Sequence, residues 1–121
     1  MSNFRTLLVW QKSMTLITKI YSLTNKFPKE EVFGLTSQIR RSSISIPSNI
    51  AEGYGRETDK ELLRFLTISI GSLFEMQTQL EIAKNIFYLK EDDFNKLYED
   101  SREVERMLVS FIKKIKDRTK P

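Results

Sequence analysis

The chain has 121 residues, a net charge of +4 and a pI near 9.4, with 40% hydrophobic and 30% charged residues. That length suits one domain spanning 1–121, whose core needs neither disulfide nor metal. There is no Cys and no His, which excludes disulfides, thiolate nucleophiles, Cys-ligated zinc, and the commonest general base and metal ligand.

The sequence therefore reads as non-enzymatic and cofactor-free. The start, MSNFRTLLVWQKS, has no apolar signal core. No run approaches the ~20 apolar residues needed to span a bilayer, so a cytoplasmic protein without a membrane partner is expected. Charge is ordered along the chain. Residues 1–56 carry eight Lys/Arg and three acids, residues 57–105 carry six and twelve, and residues 106–121 carry six and one. A basic–acidic–basic order suits an acidic partner for the ends, or neighbouring copies that pair opposite surfaces.

Four helical patterns follow one another. The first places Leu7, Trp10, Met14, Ile17, Tyr21 and Thr24 on one face. It stops near Phe27-Pro28, because the residue before proline disfavours helical geometry. The second runs from about Phe33 to Tyr54, with Leu35, Ile39, Ile46 and Ile50 on one face. Gly53 and Gly55 there offer the left-handed conformations that end helices. Pro47 cannot donate to the Ser43 carbonyl, so a kink is expected, with nearby serines satisfying the freed carbonyls.

The third pattern opens with a capping box, Thr58 to Glu61. Leu62, Leu66, Ser69, Leu73, Met76, Leu80, Ala83 and Phe87 then keep heptad spacing over about 30 residues, a rod of ~45 Å. The fourth has Phe94, Leu97, Ser101, Val104, Leu108, Phe111 and Ile115 in register. Acids at 91–93 and lysines at 113, 114 and 116 complement its dipole. No period-2 strand competes. Turn signals near Pro28, Gly55 and Lys90 favour an all-α, antiparallel up-down-up-down four-helix bundle over an extended coiled coil.

The second helix is unusual in its polar side. Ile44 and Ala51 lie far from its core arc, and between them runs a stripe of Gln38, Arg41, Ser45, Asn49 and Glu52. Short hydrogen-bonding groups suit a buried surface better than an exposed one, where Lys and Glu prevail. Arg41 and Glu52 are too far apart to pair along one helix. Glu75, beside the small residues Gly71 and Ser72, is a candidate partner for Arg41. These six residues (Gln38, Arg41, Ser45, Asn49, Glu52 and Glu75) are read as a structural polar network or a subunit interface.

Several stretches carry a family resemblance: F-x-x-L-x-V-W-Q-K at Phe4–Lys12, FP-x-E-E at Phe27–Glu31, GL-x-SQIRR at Gly34–Arg41, SIPSNIAEG-x-GR at Ser45–Arg56, and GSL-x-E at Gly71–Glu75. The chain resembles the four-helix-bundle proteins encoded by intervening sequences of bacterial 23S rRNA genes. That family is in turn similar to the accessory variability protein of diversity-generating retroelements. The resemblance implies a ring-like homopentamer, and the accessory relatives use a basic surface to bind nucleic acid and a reverse transcriptase; the concentration of Lys and Arg in residues 1–56 and 106–121 suggests a scaffold that binds RNA or DNA by phosphate-led contacts. The alternative the resemblance implies is a protein-binding adaptor, for example for a reverse transcriptase or another nucleic-acid enzyme. Candidate nucleic-acid contacts are Arg40, Arg56, Lys113, Lys114, Lys116 and Arg118. No RRM or zinc-finger signature is present, so little base readout is expected.

Overall fold

A computed structural model describes residues 3–120; Met1, Ser2 and Pro121, the extremes of the expected 1–121 span, lie outside the described residues. Four α-helices account for most of the chain: α1 (Leu8–Thr24), α2 (Leu35–Tyr54), α3 (Asp59–Asn85) and α4 (Glu91–Arg118). Short 3-10 turns at Phe4–Thr6 and Lys29–Glu31 precede α1 and α2. Each helix packs on its two neighbours, α1 on α2, α2 on α3, α3 on α4 and α4 back on α1, and α2–α3 is the closest pair. That closed square, joined by short connections, is the all-α up-down bundle the heptads predict. Among the described residues there is no strand.

Apolar spacing places the core well in three helices. Ile39, Ile46 and Ile50 of α2 are buried, as are Leu62, Leu66, Leu73, Met76, Leu80 and Ala83 of α3, and Phe94, Leu97, Val104, Leu108 and Ile115 of α4. In α1 the predicted face is rotated. Val9, Ser13, Leu16, Ile20 and Thr24 are buried, whereas Met14 is 41% exposed and Trp10, Ile17 and Tyr21 are only half-buried. The helix carries two adjacent stripes with the same three-and-four spacing, and periodicity cannot say which one faces the core.

The helix ends show further corrections. α2 begins at Leu35, and Phe33 is almost fully exposed in the connection before it. Glu31 caps α2, its carboxylate accepting from the Leu35 N–H at 3.1 Å. No glycine has positive φ. Gly53 is needed instead for close approach, since a Cβ there would lie 2.7 Å from the Phe65 Cβ and 3.3 Å from the Leu62 carbonyl oxygen. The Thr58 box is half formed: Thr58 accepts from the Glu61 N–H at 3.2 Å, while the Glu61 carboxylate takes Arg64. Phe87 leaves the predicted heptad face. It follows α3 with φ 67° and is 92% exposed, in a turn where the Tyr88 N–H returns to the Ala83 carbonyl at 2.9 Å.

Pro47 lies buried inside α2, which continues helical on both sides of it. The nearby serines do not serve the Ser43 carbonyl. Ser43 donates to Arg40, Ser42 to Ile39 or Gln79, and Ser45 joins Asn49 and Ser72.

Candidate nucleic-acid and subunit interfaces

The polar stripe of α2 divides on folding. Its inner half becomes a seam with α3. Ser45 Oγ accepts from Ser72 at 2.9 Å and from the Asn49 amide at 2.9 Å. Deeper in, Ser42 donates to the Gln79 side-chain oxygen at 2.8 Å, and Ser69 donates to the Ile46 carbonyl at 2.8 Å. Ser42, Ser69 and Gln79 are buried, and each has a partner, which removes the penalty of burying a polar group. Small side chains at this seam let α2 and α3 approach closely.

The outer half stays free. Gln38 and Arg41 are exposed, and their side chains make no hydrogen bond or ion pair within the chain's described residues. Arg41 does not reach Glu75, whose carboxylate accepts only from Gln79 at 3.5 Å. Glu52 pairs four residues along with Arg56 at 2.8 Å. Gly71 faces open space rather than a helix of its own bundle.

Two apolar areas stand on the outside. Ile44 of α2 is 43% exposed and lies near Tyr21 at the α1–α2 groove. On α3, Ile68, Phe74, Ile82 and Ile86 are all exposed. At 100° per residue, Ile68, Ile82 and Ile86 fall within about 40° of one another on the solvent side, with Gly71 close by. The heptad reading noticed Ile44 and Ala51 but missed the α3 residues. Their signal was an apolar set off the core stripe, which a search for one buried face passes over. Gln79 was missed for the complementary reason: a polar residue beside the core stripe reads as solvent-facing until a partner is seen.

The basic residues also divide. Arg40 is a clamp: its guanidinium lies 4.3 Å over the Tyr21 ring and donates to Thr24 at 3.0 Å and Asn25 at 2.9 Å, tying α2 to the end of α1. Arg56, Lys113 and Arg118 pair with Glu52, Asp117 and Asp59. The Arg118–Asp59 contact is two-pronged, at 2.7 and 2.9 Å. Its hydrogen bonds hold the Asp59 carboxyl below the usual carboxylate range. Glu61 is lowered in the same way by Arg64. Of the six candidates, Lys114 and Lys116 have no side-chain partner among the described residues.

Antiparallel packing gathers the start of α1, the end of α2, the start of α3 and the end of α4 at one end of the bundle. Arg5, Arg56, Lys60, Arg64, Lys113, Lys114, Lys116, Arg118 and Lys120 lie there, against Glu52, Glu57, Asp59, Glu61 and Asp117. Nine cations against five acids give this end the whole net charge of +4; the other eleven cations and eleven acids cancel. Among the described residues Lys60, Lys114 and Lys116 form no ion pair or side-chain hydrogen bond, although the Lys60 charge helps to lower the Glu61 carboxyl, and Arg5 lies over the Phe4 and Trp10 rings.

Among the described residues, no group of three or more acids could hold a metal. No helix is long and apolar enough to cross a membrane.

An antiparallel four-helix bundle with a serine-lined α2–α3 seam and apolar patches on its outer faces thus defines the class. A family model described as 23S rRNA-intervening sequence protein matches residues 5–110. The chain belongs to that family. A crystal structure of a protein of unknown function from the S23 ribosomal protein family of Bacteroides thetaiotaomicron is similar, with 26% identity and a TM-score of 0.82. The match covers 88% of this chain and 99% of that one. Comparison with curated proteins gives no match.

Proposed function

We propose that this protein is a non-enzymatic, homo-oligomeric scaffold that binds RNA or DNA by phosphate contacts at its basic end. The observation that carries the reading is the gathering of the whole net charge at one end, with Lys60, Lys114, Lys116 and Arg5 outside any ion pair among the described residues. Free cations can release the counterions of a phosphate backbone; cations already paired in the chain contribute less. This narrows the contact set. Lys114 and Lys116 stay in it, Arg56, Lys113 and Arg118 are secondary, and Arg40 belongs to the clamp between α1 and α2.

Self-association is supported by the two outer apolar areas and by the unpaired Gln38 and Arg41. The resemblance sets the number of copies at five. The adaptor reading rests on the resemblance alone, and a pull-down that recovers a polymerase instead of nucleic acid would favour it.

The test is anisotropy of a labelled single-stranded RNA and a DNA duplex at about 50 and 200 mM salt. Binding is expected to fall steeply with salt. Replacing Lys114 and Lys116 with Ala lowers the slope of log K against log salt by about 1.4 to 1.8, at roughly 0.7–0.9 per lost phosphate contact. No binding at low salt, or a slope unchanged in the double variant, overturns the reading.

A further inference from the structure

The end of the bundle opposite the basic one has a different character. It is built from the α1–α2 connection and the α3–α4 turn. These are tied together by the Tyr88 hydroxyl donating to Glu31 at 2.8 Å and by the Phe27 and Tyr88 rings 5.7 Å apart. From this braced base project Phe33, 95% exposed, and Phe87, 92% exposed, the two most exposed large apolar side chains described. Val32 and Ile86 flank them and are also exposed.

Phe87 carries a second, independent signal. Its φ of 67° is left-handed, where glycine or asparagine is the usual residue. A bulky aromatic is held in a conformation that disfavours it, with its ring in water. The helix-end turn, with the Tyr88 N–H on the Ala83 carbonyl at 2.9 Å, holds this backbone and carries the exposed ring outward. Phe87 stands at the wall of a concavity of about 660 Å³ that Leu23, Tyr88 and Leu89 also line. The end thus has both projections and a hollow.

Its lysines and acids are balanced in number and form no ion pairs among the described residues. Lys26, Lys29, Lys84 and Lys90 form no ion pair, and Glu30, Glu91, Asp92 and Asp93 form none either. Four lysines, of which Lys84 lies 4.5 Å over the Phe94 ring, thus share this end with four acids, and these eight charges cancel. A nucleic acid gains little there, because each phosphate drawn to a lysine also meets a carboxylate. The same pattern is what a two-fold contact between identical surfaces requires. The patch must be self-complementary in shape and in charge, so that a knob meets a hollow and a cation meets an acid. At the basic end such a contact is opposed by like charge.

From this juxtaposition we infer that two copies of the chain meet end to end through this patch, Phe87 of each entering the concavity of the other and the lysines pairing with the partner's acids. The contact adjoins the outer face of α3 at Ile86 but centres on Phe33 and Phe87, which that face does not include, and it does not depend on nucleic-acid binding.

Light scattering tests it in an Ile68→Arg background, which breaks the α3 outer face far from this end. There the end contact leaves a dimer of 14.3 kDa chains. Adding Phe33→Ser and Phe87→Ser halves the mass, with the far-ultraviolet circular dichroism unchanged. A charge test separates pairing from mere folding. Lys84→Glu with Lys90→Glu in that background gives monomers, as does Glu91→Lys with Asp92→Lys, and mixing the two restores dimers. A monomer before any end substitution, or dimers indifferent to Phe33, Phe87 and the charge exchange, overturns the inference. So does capture of nucleic acid by this end, read as duplex or single-strand affinity lost in the Phe33 and Phe87 variant.

Discussion

Two glycines on the same helix pair offer a paired perturbation with opposite expected signs. At Gly53 an added methyl would sit 2.7 Å from the Phe65 Cβ, and 3.3 Å from both Leu62 Cδ1 and the Leu62 carbonyl oxygen. The nearest of these atoms is fixed to the backbone of α3, so no side-chain end can swing aside. α2 and α3 must separate or α2 must shift. Overpacking of this kind costs about 2–3 kcal/mol. Replacing a helical glycine with alanine recovers about 1 kcal/mol of propensity. The net expectation for Gly53→Ala is a loss of about 1–2 kcal/mol, a fall in melting temperature of roughly 4–8 °C for a chain of this size. At Gly71 a Cβ meets nothing within 4 Å, so Gly71→Ala keeps the propensity gain and stabilises the lone bundle by up to about 1 kcal/mol. Urea unfolding followed by helical ellipticity, at one fixed protein concentration, reads both. If Gly53→Ala is neutral or stabilising, the close-approach account of the α2–α3 seam is wrong. If Gly71→Ala lowers the oligomer mass instead of raising stability, a neighbouring copy occupies the open space beside it.

Other perturbations follow from named contacts. Ser69→Val removes the donor to the Ile46 carbonyl inside the seam and is expected to cost about 1–3 kcal/mol in the same assay; an equally stable variant would show that the carbonyl needs no second partner. Arg40→Ala strips the Tyr21 stack and the bonds to Thr24 and Asn25. It is expected to lower stability by about 1–2 kcal/mol and leave RNA affinity unchanged; the reverse outcome would return Arg40 to the phosphate site. Glu31 has its carboxyl lowered from 4.5, first by the Leu35 N–H and then by the Tyr88 hydroxyl. A depressed folded-state value means stabilisation that is complete above the unfolded value and lost as pH falls through the folded one. The stability gap between the native chain and Glu31→Gln should therefore be full at pH 6 to 7 and shrink below about 4.5, and a gap constant with pH would remove Glu31 as the cap.

The core faces of α3 and α4 were legible because one continuous heptad stripe runs the length of each helix, whereas the outer apolar residues of α3, Ile68, Phe74 and Ile82, are too widely spaced to compete with it. Where one stripe exists, burial can follow only one face, and Leu62 through Ala83 and Phe94 through Ile115 took the places their spacing sets. On α1 two stripes run side by side, and the choice between Met14 and Leu16 was made by the position of α2 and α4, which local periodicity does not contain. The same holds for charge. The order of Lys and Arg along the chain showed basic ends and an acidic middle, but antiparallel packing decided that residues near 5, 60 and 116 share one end. Pairing then decided which of them are free: Asp59 claims Arg118, while Lys114 and Lys116 are left open. Short polar side chains on α2 announced a buried surface, yet only the approach of α3 gave Ser42 a partner in Gln79 and left Arg41 without one. Composition and spacing settle what a residue can do next to its own turn of helix. Which residue it meets from another helix depends on how all four pack at once, and that is a property of the tertiary structure alone.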